Sequence, residues 1–212
     1  MAEQTQTIQA PTTQTASPRI CKLKICVSGA AETGDCAKNA LENAKIIGRE
    51  IARQGAVLVT GATTGAPYWS AIGAKEERGI SIGLSPASTE QEHVERYGLP
   101  TENFDIIIYT GFDYSGRNLL LTRSSDAVII VCGRIGTLNE FTIAFEDHKP
   151  IGILTGSGQI ADLLSQIIET AKREHVPIIF DDDPKRLVDK LIEVACELKG
   201  ERRGEAYFAG RG

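Results

Sequence analysis

The sequence predicts an α/β protein built on a doubly wound, mainly parallel sheet of about seven strands in a single domain. Three observations carry this. Short β-branched runs are apolar on consecutive positions, which suits strands covered on both faces. Segments of helical period lie between them. Glycine makes up 21 of the 212 residues, about 10% against a usual ~7%, and nine of the 21 fall just beyond predicted strands, at Gly29, Gly61, Gly65, Gly111, Gly116, Gly133, Gly136, Gly156 and Gly158. In a doubly wound sheet, ligands bind beyond the carboxyl ends of the strands, near the switch in strand order.

The elements follow in order. Leu23–Val27 is the first run, followed by a stripe of Ala37, Ala40, Leu41, Ala44, Ile47 and Ile51 with Asp35 as N-cap. Ala56–Thr60 is the second strand and Ile80–Leu84 the third. Phe104–Tyr109 leads to a short helix that Ser115 is placed to cap, with Arg117 and Asn118 in its first turn. Ala127–Val131 runs into Gly133–Thr137 and a further helix. Ile151–Leu154 precedes a stripe of Ile160, Leu163, Leu164, Ile167 and Ile168. Val176–Phe180 is the last strand. Asp183 and Pro184 then supply an N-cap and a proline at the first helical position, ahead of Leu187, Val188, Leu191, Val194 and Ala195. Residues 1–19, rich in Thr, Gln, Ala and Pro, read as a disordered tail. Residues 200–212 read as a loose end, leaving 20–199 as the folded domain.

Composition narrows the function. There are 23 basic and 28 acidic side chains, a formal charge of −5. That balance argues against a nucleic-acid binder, which carries a basic excess. No apolar run approaches the ~20 residues of a membrane span. Residues 1–17 hold no basic residue and no apolar block, so no secretory pattern is expected and the cytoplasm is the default. Five cysteines without a CxxC pair, and three histidines without ligand spacing, point away from a disulfide framework and from a metal site. His93, His148 and His175 are expected at the surface, and Tyr68 and Trp69 in the core.

Three segments carry candidate chemistry. In Asp126–Glu140 a strand runs through Gly133, Arg134, Gly136 and Thr137 into a helix, whose free N–H groups and positive end favour an anion. Arg134 adds a forked cationic donor. Thr137 and Glu140 also have the spacing of a capping box, and the two readings stand side by side. In Val57–Ser70, Gly61, Thr63, Thr64 and Gly65 offer hydroxyls and amides to a phosphate or ribose, without forming GxGxxG or the GxxxxGK[ST] loop, and a purely structural turn is an equal alternative. Ser28 and Gly29 do the same after the first strand. Arg117 sits at a helix start against the dipole preference, which points to an anionic partner, with a solvated arginine as the ordinary alternative. Cys132 stands beside the anion loop with no histidine to activate it and reads as a small buried residue.

The stretch SGRNLLLTRSSDAVIIVCGRIGTLNE resembles the signature region of the Lonely Guy (LOG) family, long labelled lysine-decarboxylase-like. The family pattern is an Arg-Lys pair followed by PGGxGTxxE. Here the pair is Arg117-Asn118 and the later motif runs from Cys132 to Glu140. TGATTGAPYWSAIGAK is similar to a divergent form of the family's GGGxxGxM loop, and the resemblance covers about residues 22–197. It implies a Rossmann-like fold and a homodimer or dimer of dimers. It also implies cleavage of a nucleoside 5′-monophosphate to base and ribose 5-phosphate, with no cofactor required. Arg117 and Glu140 match the catalytic pair, and Gly133, Gly136 and Thr137 the phosphate loop. A related branch carries molybdenum cofactor, a pterin phosphate, which is the alternative ligand. The departures are Cys132 for proline, Arg134 for glycine, Asn118 for lysine, and Gly61-Ala62-Thr63 for the triple glycine. Arg134 would crowd a monophosphate or widen the preference to a larger polyphosphate or pterin. Decarboxylation is disfavoured, because pyridoxal phosphate needs a Schiff-base lysine and the site loops hold none.

Overall fold

In the computed structural model, which describes residues 22–174 and 177–209 (the backbone alone from 201), strands and helices alternate along the chain. The strands are β1 (Lys24–Gly29), β2 (Val57–Thr60), β3 (Ser81–Ser85), β4 (Ile106–Tyr109), β5 (Ala127–Val131), β6 (Ile151–Leu154) and β7 (Ile178–Asp181). The helices are α1 (Ala40–Arg53), α2 (Ala66–Glu76), α3 (Asp113–Ser124), α4 (Ile135–Glu146), α5 (Ile160–Ala171) and α6 (Pro184–Ala209). All neighbouring strands pair in parallel, in the order β4-β3-β2-β1-β5-β6-β7. Each expected strand is present within two residues of its predicted bounds.

Successive strand residues point to opposite faces, and the two faces carry separate cores. Ile25, Val27, Leu58, Ile129 and Val131 pack with the inner stripes of α1, α2 and α6. Cys26, Val59, Val128, Ile130 and Ile153 pack with Leu121 of α3, Phe141 and Phe145 of α4 and Leu164 of α5. Consecutive apolar residues are therefore what a strand between two helical layers requires. The two edge strands depart from this: in β4 Ile106 and Ile108 are about half exposed, and in β7 Phe180 is exposed.

Several local expectations need correction. α1 begins at Ala40, so Asp35 lies in the preceding loop and caps nothing. α3 begins at Asp113, which puts Ser115 inside the helix. His93 is fully buried: Ser85 Oγ lies 2.8 Å from its Nδ1 and the Pro100 carbonyl 3.0 Å from its Nε2, which satisfies both ring nitrogens. Asp183 does cap α6, accepting from the Lys185 and Arg186 N–H groups at 2.9 and 2.8 Å. That helix continues to Ala209, past residue 199, because Glu, Arg and Ala carry helix propensity without an apolar stripe. Residues 1–21, His175 and Val176 lie outside the described residues. No helix among the described residues is long and apolar enough to cross a membrane.

Candidate functional site

The strand order reverses between β1 and β5, which pair side by side but send their connections to opposite faces. Their loops diverge at the carboxyl edge and leave a crevice there. A cavity of about 440 Å³ occupies it, lined by the ends of β1 and β2, the first two turns of α3 and α4, and residues 30–32. This lies within the roughly 300–1,000 Å³ of small-molecule sites.

At its base sits a buried cluster around Glu140. Ser28, at the end of β1, donates its hydroxyl to Glu140 Oε2. Arg117 Nη1 lies 3.4 Å from Glu140 Oε1. The Asn118 amide meets its neighbours best with its nitrogen toward Glu140 Oε1 and the Tyr114 carbonyl, each at 2.9 Å. Arg117 stands 5.8 Å from the Tyr114 ring centroid, within cation–π range. Its Nε is buried with no partner among the described residues. Burial pushes the Glu140 carboxyl above its ordinary pKa; the Arg117 charge and the Ser28 hydroxyl offset this only in part.

The helix start decides what Glu140 does. α4 begins at Ile135 with Arg134 as N-cap, so Thr137 is already inside the helix and Glu140 is a turn further in. A capping box would need Thr137 at the cap. The capping reading is therefore overturned, and Glu140 spends its acceptors on Ser28, Arg117 and Asn118 instead.

Glycines shape the walls. A Cβ on Gly61 would sit 1.7 Å from Arg117 Nη1 and 2.6 Å from Cζ, so the guanidinium occupies the space a side chain would fill. Gly65, at φ +71°, brings its α-carbon against the β1 loop, where a Cβ would lie 2.1 Å from the Ala30 carbonyl oxygen.

Of the expected binding residues, Ser28, Gly29, Gly61, Thr63, Arg134, Gly136 and Thr137 line the cavity together with Arg117 and Glu140. Thr64, Gly65 and Gly133 do not line it. Thr64 donates to the Ala31 carbonyl at 3.2 Å, and Gly133 turns the chain at φ +104° beneath the Thr137 side chain. Arg134 lies at the rim, 3.0 Å from Glu32, with both side chains exposed. The sequence reading passed over Glu32 and Tyr114. Tyr114 lies three residues before Arg117 on one helix face, a signal available once the helix register is set.

Cys132 is neither free nor a nucleophile. It forms a disulfide with Cys36 across 96 residues, with α-carbons 5.8 Å apart, which corrects the expectation of unbridged cysteines. The CxxC logic reads local spacing, whereas this pair forms because β1 and β5 are neighbours. Among the described residues no group of three His, Cys, Asp or Glu is placed to hold a metal ion.

The comparisons agree with this architecture. The family model for the SLOG cluster4 family matches residues 22–188. A molybdenum cofactor binding protein from the phototrophic bacterium Rippkaea orientalis is 32% identical, with a TM-score of 0.67 over 81% of this chain and 96% of that one. The molybdenum cofactor carrier protein of Chlamydomonas reinhardtii is 26% identical, with a TM-score of 0.65 over 82% of this chain and 98% of that one. An uncharacterized protein of Archaeoglobus fulgidus is 31% identical over 132 residues, 62% of this chain and 82% of its own.

Proposed function

Because the chain belongs to the SLOG cluster4 family, we propose that its crevice binds a phosphorylated small molecule without cleaving it, a pterin phosphate such as molybdenum cofactor before any other. The observation that carries this is the engagement of Glu140. A carboxylate that attacks, activates water or stabilises a glycosyl cation must have an oxygen turned to the ligand. Glu140 instead takes hydrogen bonds from Ser28, Arg117 and Asn118, which occupy both of its oxygens within the protein. It acts as a clamp that fixes Arg117 in the cavity wall.

Arg117 then serves as the anion receptor. Its charge is only weakly compensated by Glu140 at 3.4 Å, and its Nε is an unused buried donor. The first N–H groups of α4 lack intrahelical acceptors and add the positive helix end. Together these suit a phosphate, while Tyr114 and Pro67 give the wall apolar surface for a ring system. The likeness to two molybdenum cofactor proteins supports a pterin as cargo. The second reading is hydrolysis of a nucleoside 5′-monophosphate, favoured by the presence of Arg117 and Glu140 in one cavity wall.

Titration calorimetry with AMP and inorganic phosphate, chromatography of reaction mixtures from a panel of 5′-monophosphates, and pterin fluorescence of extracts from the purified protein separate the two. The expected result is saturable AMP binding, no base release, and extracted pterin. Glu140→Gln keeps AMP affinity within about threefold, while Arg117→Ala loses roughly tenfold or more, ~1.4 kcal/mol. Base release by the wild type that disappears in Glu140→Gln overturns the binding reading in favour of hydrolysis.

A further inference from the structure

We infer that the Cys36–Cys132 disulfide is a redox latch on the loop that walls the ligand crevice: oxidised it fixes the loop, reduced it lets the loop go. The loop spans residues 31–39 between β1 and α1 and has no regular structure. Ala30, Ala31 and Glu32 line the cavity. Its ends are held by backbone contacts. Ala66 N–H donates to the Ala30 carbonyl at 2.9 Å, and Ala37 N–H donates to the Ser157 carbonyl at 3.0 Å. Between them the loop is bridged by the Glu32–Arg134 ion pair and the disulfide, and its Asp35–Cys36 backbone packs against Gly158, where a Cβ would lie 3.3 Å from the Asp35 carbonyl oxygen and 3.4 Å from the Cys36 α-carbon. An exposed ion pair holds little, so the disulfide is the strong tie.

Its other end is firmly seated. Cys132 closes β5, is fully buried, and donates its N–H to Ser157 Oγ at 2.8 Å. It immediately precedes Gly133 and Arg134, the turn that leads into α4 at the crevice. The bond therefore joins the two loops on either side of the crevice, and its state sets how well the cavity wall is organised before ligand arrives.

Cys36 is only half-buried, so a dithiol reductant reaches its sulfur rather than that of Cys132. One thiolate of the dithiol attacks Cys36 Sγ, the Cys36–Cys132 bond breaks, and Cys132 leaves as a thiolate that takes a proton. The second thiol of the reductant then displaces Cys36 from the mixed disulfide. Two electrons pass to the cysteine pair, which becomes two thiols, and the dithiol becomes a disulfide. Cys26 does not compete as the attacking thiol, because it is buried in the core and burial keeps it protonated.

The ligand consequence rests on the proposed binding role; the latch does not. The test is hydrogen exchange with peptide mapping on the full chain, with and without dithiothreitol, alongside AMP titration of both forms. We expect a Cys36–Cys132 linked peptide in the oxidised protein and amides of 32–36 exchanging about tenfold faster after reduction, with core strands unchanged. AMP affinity is expected to fall roughly three- to tenfold on reduction. Cys36→Ser should match the reduced wild type and be indifferent to dithiothreitol. Free thiols at both Cys36 and Cys132 in air-equilibrated protein, or exchange at 32–36 unchanged by reduction, overturn the latch. If AMP binds neither form, the binding proposal falls, while the exchange result still decides the latch.

Discussion

Gly61 and Arg117 define each other at the residue scale. The guanidinium lies where a β-carbon of residue 61 would be, with 1.7 Å between that position and Nη1. An alanine there cannot be accommodated by a small adjustment, because Arg117 is also tied to Glu140 and sits on Tyr114. Gly61→Ala should therefore displace Arg117 and weaken AMP binding about as much as Arg117→Ala, roughly tenfold, while the thermal midpoint moves by only a few degrees. Titration and a melting curve check this; unchanged affinity would mean that the guanidinium does not hold the anion. Arg117 and Glu140 were legible in the sequence through the LOG-like motif, whereas the helix-start reasoning fails, because α3 begins at Asp113 and places Arg117 and Asn118 beyond its first turn. That the partner of Arg117 is Glu140 was not legible from local pattern, because Thr137-x-x-Glu140 fits a capping box equally well. Only the start of α4 at Ile135 separates the two readings. The disulfide was hidden for a related reason: Cys36 and Cys132 meet through strand order, not through spacing.

Between elements, the tightest contact is that of α1 on α2. A Cβ on Gly48 would lie 1.9 Å from the Ser70 carbonyl oxygen, and one on Gly73 would lie 2.0 Å from that of Lys45. The helices thus meet backbone to backbone, with Glu76 accepting from both Lys45 and Arg49 at 2.6 Å along the edge of the contact. Gly73→Ala poses two opposed effects. Alanine gains about 1 kcal/mol of helix propensity over glycine, but overpacking against a backbone carbonyl costs about 1–3 kcal/mol and has no flexible side chain to yield. The net expectation is a loss of up to about 2 kcal/mol, read as a lower urea midpoint with an unchanged slope; a variant more stable than wild type would contradict the close packing. The strands themselves were legible because parallel, doubly covered strands must be apolar at consecutive positions. β4 shows the limit of that rule. Ile106 and Ile108 read as core, yet an edge strand has a neighbour on one side alone, and both are about half exposed. A local pattern contains no information on which strand ends at the edge.

Across the whole molecule, the ionisable groups divide into two sets that respond oppositely to pH. Asp181, at the carboxyl end of β7, accepts from Arg186 at 2.6 and 2.9 Å and from Lys190 at 2.8 Å, which holds its carboxyl far below the usual range. Burial pushes Asp126 up, but Lys24 and Lys199 at 2.8 and 3.0 Å bring it below its ordinary value on balance. For both, the unfolded chain takes up protons first, so their stabilisation is complete above the ordinary Asp pKa of about 3.9 and is lost as pH falls toward the lowered native value. Glu140 is the reverse. Burial raises it above the ordinary Glu pKa of about 4.3 despite Arg117 and Ser28. Over the interval between those two values the native protein holds a proton that the unfolded chain has released. Stability must then decline as pH rises, by up to about 1.4 kcal/mol per pH unit while the native carboxyl stays protonated, and level off above its raised pKa. Glu140→Gln cannot ionise, so it lacks this decline. Urea unfolding of wild type and Glu140→Gln at intervals from pH 5 to pH 8 should show the variant gaining stability relative to wild type as pH rises, then a constant difference. A difference that is flat throughout would mean that Glu140 is already ionised at pH 5, and that the Arg117 charge is neutralised before any ligand arrives.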